Sequence, residues 1–172
     1  MSTVAVTSGL GALPSRFRRE RLLIVGYGDV GQRMARNLLT GPGAQRLRVL
    51  ALTSQAERVG SLRAQGVTSL VGNLDHAATL RRLSGLATRV VHLAPPPGEG
   101  GGGAAWWRDP RTVALARALR LRSLPVSLVY ASTSGGYGDC AGALVAETRT
   151  VAPGTPRAQR RVNAERAVRH LG

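Results

Sequence analysis

The chain has no lysine: its 24 basic residues are all arginine. They outnumber 9 acidic residues and give a formal charge of +15. Such a charge raises nucleic acid and anionic membranes as partners. Aromatics, however, are only 3% of the 172 residues, and none interleave with the arginines in the manner that stacks bases. The arginines are scattered, and their exclusive use reads as base-composition bias in the gene. Specific nucleic-acid binding is therefore not expected. A single cysteine, Cys140, excludes an internal disulfide framework and a cysteine-rich metal site, and it suits a reducing, cytoplasmic setting. His76, His92 and His170 are too dispersed for a metal motif, so no metal is expected. No apolar run is long enough to span a bilayer, so no membrane partner is expected.

Glycine, by contrast, is plentiful, and three glycines organise the chain. Leu22-Leu23-Ile24-Val25 reads as a short buried strand and runs into Gly26-Tyr27-Gly28-Asp29-Val30-Gly31. Met34, Ala35, Leu38 and Leu39 then recur at helical spacing. Strand, GxGxxG turn and helix together form the fingerprint of a dinucleotide-binding βαβ unit. Gly26 allows the tight turn, Gly28 lets a pyrophosphate approach bare backbone, and Gly31 lets helix and strand pack closely. The helix from Asp29 aims its N-terminal amides and positive dipole end at the phosphates.

Residues 1–20 read as a flexible N-terminal extension, with the domain over 21–172. Strands are expected at 47–53, 67–71, 89–93 and 126–132, with helices near 55–65, 75–83, 109–122 and 155–170. Asp75 is the expected N-cap of the helix it precedes, and Asp109-Pro110 opens the next one. Pro110 suits a first turn, and Ala94 to Gly103 can be neither helix nor strand. Helix-length crossovers between strands imply a parallel, doubly wound α/β sheet of about five strands. Ligands in such sheets bind at the strand C-terminal ends. That edge carries Gly26, Gly28, Asp29, Val30 and Gly31, then Thr53 and Ser54, Asn73 and Leu74, Ala94, Pro95 and Pro96, and Ser132.

Val129-Tyr130-Ala131-Ser132-Thr133-Ser134-Gly135-Gly136-Tyr137-Gly138-Asp139 resembles the strand-plus-loop of the extended short-chain dehydrogenase/reductases, in particular their NAD(P)-dependent epimerase/dehydratase branch. Val90-Val91-His92-Leu93-Ala94, Glu147-Thr148, Pro153 and Asn163-Ala164-Glu165 are similar to further segments of that family. The resemblance implies a Rossmann-type fold, an NAD or NADP cofactor, a small-molecule substrate such as a nucleotide sugar, and a possible homodimer. It also implies a hydroxyl at Thr133 that orients the substrate oxygen. The family's catalytic tyrosine and lysine would fall at Arg157 and Arg161. Arginine stays protonated, so Arg161 can supply the fixed charge but Arg157 cannot trade a proton. Tyr137 and Tyr130 are the remaining candidates for the hydroxyl, in the manner of the atypical members that lack the tyrosine. Family members continue into a substrate domain, which is expected to be absent from this stretch of 172 residues.

NAD sites place a carboxylate at the end of the second strand. Leu52-Thr53-Ser54-Gln55 has none there, and Arg58 follows, which suits the 2′-phosphate of NADP. Arg33 is a second candidate. The expected function is an oxidoreductase-type enzyme with an atypical active site, the alternative a sensor that binds NADP(H) without turnover.

Overall fold

The computed structural model describes residues 20–98 and 105–171. The extension, apart from its last residue Glu20, and most of the glycine run before Trp106 lie outside them. Five parallel strands form one sheet: β1 Glu20–Val25, β2 Leu47–Thr53, β3 Thr68–Val71, β4 Arg89–His92 and β5 Ser127–Tyr130. Their order is β3-β2-β1-β4-β5. Among the described residues four α-helices cover the sheet: α1 Asp29–Thr40, α2 Val59–Ala64, α3 Pro110–Arg120 and α4 Pro156–Arg169.

The strands bury both faces because consecutive side chains alternate sides. Leu23, Val25, Leu50, Leu52 and Val90 pack with Leu80, Leu83, Leu115 and Leu119 on the α3 side. Leu22, Ile24, Val49, Ala51 and Val91 pack with Ala35, Met34, Leu38 and Leu62 on the side of α1 and α2. The chain winds outward from β1 through β2 to β3, then crosses to β4. The order therefore reverses between β1 and β4, and their C-terminal ends diverge there into a crevice.

Two sequence expectations change. Residues 77–83 form a 3-10 helix preceded by His76, and no side chain caps it. Asp75 is not its N-cap; its carboxylate is engaged by Arg111 through two hydrogen bonds of 2.7 Å. The fifth strand also ends at Tyr130, so Ser132 and Thr133 stand beyond the ladder. Asp109 does cap its helix: its Oδ1 accepts from the Arg111 and Thr112 amides at 3.0 and 3.2 Å.

Candidate functional site

The crevice between β1 and β4 opens into a cleft of about 440 Å³. Of the residues expected to meet a cofactor, Gly26, Gly28, Thr53, Ser54, Arg58, Asn73, Leu74, Ala94 and Pro95 line it. Separate segments at the ends of β1, β2, β3 and β4 contribute them. Asp29, Val30 and Gly31 lie just behind, in the first turn of α1. Pro96 borders a neighbouring cleft, and Ser132 lies at the β5–α4 side.

The three glycines differ in what surrounds them. Gly26 has φ +93°, and a Cβ there would come within 2.4 Å of the Ala94 nitrogen. It must be glycine so that the end of β1 can touch the end of β4. At Gly31 a Cβ would meet the Gly26 oxygen at 3.0 Å and Ile24 Cγ2 at 3.2 Å, so this glycine sets how closely α1 lies on β1. At Gly28 a Cβ would meet nothing within 4 Å. It would stand in the mouth of the cleft, where bare backbone is exposed. Gly28 is also the residue before α1, and no side chain caps that helix. The first-turn amides are left to a ligand, which is the arrangement an anion needs. The site thus fits a pyrophosphate in its geometry as well as in its motif.

The β2 end of the cleft is mixed. Arg58 is half-buried and donates through Nη2 to the Tyr27 carbonyl at 3.1 Å, which holds the guanidinium beside Ser54 and Gln55. The Thr53 hydroxyl accepts from the Gln55 amide at 3.1 Å and is committed to its own turn, whereas Ser54 is exposed. Arg33 is exposed and pairs with Asp29 at 3.0 Å on α1; it does not line the cleft. Asn73 accepts from the Asp75 amide at 2.9 Å. Sequence reasoning missed the Asp75–Arg111 ion pair, which closes one end of the cleft. The Arg111 hydrogen bond holds the Asp75 carboxyl below its ordinary range. The partners are separated by two elements in sequence, and no local signal links them. Tyr27, also missed, sends its ring under α2, where burial raises its hydroxyl above the ordinary value.

The expected catalytic residues gather elsewhere. Arg161 donates to the Ala131 carbonyl and lies 5.7 Å from the Tyr130 ring centre. Ser132 donates to Glu165. These contacts join the end of β5 to α4. Thr133 is exposed, and its hydroxyl accepts from the Gly135 amide at 3.3 Å. Tyr137 donates to the Glu147 carbonyl at 3.4 Å. None of these residues lines the crevice cleft. His92 is buried, with Nε2 at 2.8 Å from the Thr112 hydroxyl, which itself donates to Asp109 at 2.7 Å. Burial lowers its pKa to about 4, against the opposing pull of Asp109, so it is a packed neutral imidazole at pH 7.

The fold is Rossmann-like α/β, shared with solved epimerase and reductase structures. Residues 22–94 match the TrkA-N domain. No curated protein matches the chain. A protein from Burkholderia cenocepacia J2315 provisionally called an epimerase superposes with a TM-score of 0.69 at 23% identity, over 90% of this chain and 51% of its own. UDP-glucuronic acid 4-epimerase from Bacillus cereus, solved with NAD, gives 0.67 at 21%, over 88% and 52%. Triphenylmethane reductase from Citrobacter sp., complexed with NADP(H), gives 0.60 at 16%, over 87% and 45%. The chain therefore spans about half the length of the solved structures it matches. Among the described residues no helix is long and apolar enough to cross a membrane, and no cluster of metal-ligating side chains is found.

Proposed function

We propose that the chain binds a nicotinamide dinucleotide, with NADP(H) preferred, as the cofactor domain of a cytoplasmic oxidoreductase or epimerase of the short-chain dehydrogenase type. The observation that carries this reading is the open backbone at Gly28 in front of an uncapped helix. Gly26, Gly28 and the first-turn amides of Asp29, Val30 and Gly31 would hold the pyrophosphate. Ser54 and Arg58, with Thr53 shaping the turn, would take the adenosine ribose and its 2′-phosphate. Asn73 and Leu74 would flank the base. Ala94, Pro95, Pro96 and Ser132 would lie toward the nicotinamide. The cofactor, when bound, supplies hydride transfer. Around it Thr133 would orient a substrate oxygen, Arg161 would fix a positive charge, and Tyr137 would supply the proton after leaving the Glu147 carbonyl. The substrate class in view is a small carbonyl compound or nucleotide sugar, in a monomer or a homodimer.

A second reading is a sensor that binds NADP(H) without turnover. Arg157 favours it, because a guanidinium stands where the resemblance puts the proton-trading tyrosine. Fluorescence titration with NADPH and NADH tests the shared claim: saturable binding is expected, tighter for NADPH. Oxidation of NADPH against a panel of nucleotide sugars and carbonyls then separates the two readings.

A further inference from the structure

A second cleft, of about 420 Å³, adjoins the first and shares Pro95 and Arg111 with it. One wall is Pro95 to Gly98; the other is Arg111, Arg157 and Arg160, and no acidic side chain among the described residues lines it. Arg111 is already matched by Asp75. Arg157 and Arg160 are not matched by any ion pair among the described residues. They sit three residues apart in the first turns of α4, a spacing that puts both on one face.

Arg160 is the unusual one. It is only 6% exposed. Its Nη1 donates to the Trp106 carbonyl at 3.2 Å, while its Nε is buried with no partner. Arginine cannot relieve burial by losing its proton. A buried cation without a counter-charge is costly, and a lined cleft in front of it indicates that the counter-charge arrives with a ligand. Two guanidinium forks match the geometry and charge of a phosphate dianion better than a single carboxylate.

We infer that this cleft binds the phosphate group of a small phosphorylated substrate through Arg157 and Arg160. Assigning the phosphate to a substrate rests on the dinucleotide reading above; the phosphate site itself does not. Arg157 then has a use where it stands: an anion receptor in the place of a proton donor.

The same phosphate chemistry could come from the dinucleotide, so the experiment separates the sources. The whole chain is titrated calorimetrically with inorganic phosphate at constant ionic strength, with and without saturating NADP+. Wild type, Arg157→Gln, Arg160→Met and Gly28→Val are compared. Phosphate is expected to bind wild type under both conditions and to persist in Gly28→Val. Its affinity should fall at least tenfold in Arg160→Met and several-fold in Arg157→Gln, while Arg160→Met keeps its NADP+ affinity. Unchanged phosphate affinity in both arginine variants overturns the inference. So does phosphate binding that vanishes in Gly28→Val or under NADP+, because it would then report the dinucleotide cleft. Should Arg160→Met fail to fold, the exposed Arg157→Gln decides alone, and undiminished affinity there counts against the site. Phosphate binding without NADP+ binding overturns the dinucleotide reading and leaves this site standing.

Discussion

Gly26 and Gly28 stand two residues apart and make opposite demands. A side chain at Gly26 must adopt φ +93° and push into the Ala94 backbone. Gly26→Ala is expected to lower stability by about 2–4 kcal/mol in urea unfolding, combining the left-handed penalty with overpacking. Gly28 has φ −83°, with open space around it. Gly28→Ala should therefore leave stability within about 1 kcal/mol of wild type, with any shift tending upward. The spacing of the glycines was legible in sequence because the GxGxxG pattern is local to one strand, turn and helix. That Gly26 must be glycine for the sake of Ala94 was not, since the contact is made across the sheet. His92 carries a pH prediction. In the unfolded chain it takes up a proton as pH falls through 6.5; in the folded protein burial delays this to about 4. Its contribution is whole above pH 6.5 and is lost by roughly 3 kcal/mol as pH falls through that window. Unfolding free energies of wild type and His92→Gln from pH 7 to 4 should show a steeper acid loss in wild type. Parallel curves would refute it.

At the scale of elements, the sequence marks helix starts where capping is local. Asp109-Pro110 announces α3, and the structure places the Asp109 carboxylate on two amides and the Thr112 hydroxyl. The carboxylate is wholly buried. Asp109→Ala therefore removes a cap and leaves Thr112 and His92 without their acceptor chain. A loss of roughly 2–4 kcal/mol in thermal unfolding is expected, well above that of an exposed cap. Asp75 looks like the same signal and is not. Here the Thr79 hydroxyl meets both the Asn73 and His76 carbonyls, which tightens residues 77–83 into a 3-10 turn. Asp75 turns instead to Arg111. Local pattern could not distinguish the two aspartates, because the partner that claims Asp75 comes from α3. Thr155 accepts from the Ala158 amide at 3.2 Å and caps α4. Thr155→Ala should cost about 1 kcal/mol and loosen the turn that carries Arg157.

Across the whole molecule, alternating strands and helices made the doubly wound sheet legible, and right-handed crossovers put the segments expected to meet a cofactor on one edge. The hydrogen-bond partners of the expected catalytic residues were not legible. Thr133 and Tyr137 are read from a resemblance in one loop, and their hydroxyls are engaged by the Gly135 amide and the Glu147 carbonyl. A charge of +15 acts at this scale as well. It should draw a phosphorylated dinucleotide at low salt and weaken its binding as salt screens the field. Arg58 adds a local contact to that field. Arg58→Ala is expected to reduce NADPH affinity about tenfold and leave NADH affinity near wild type, a loss typical of one charged hydrogen bond. The most direct measurement is calorimetric titration of NADP+ into wild type and into Gly28→Val, with folding of both verified by thermal unfolding. Saturable binding to wild type and none to an equally folded Gly28→Val is the expected result. Equal affinity for the two, or no binding to either, would contradict the claim that a pyrophosphate rests on the backbone between β1 and α1.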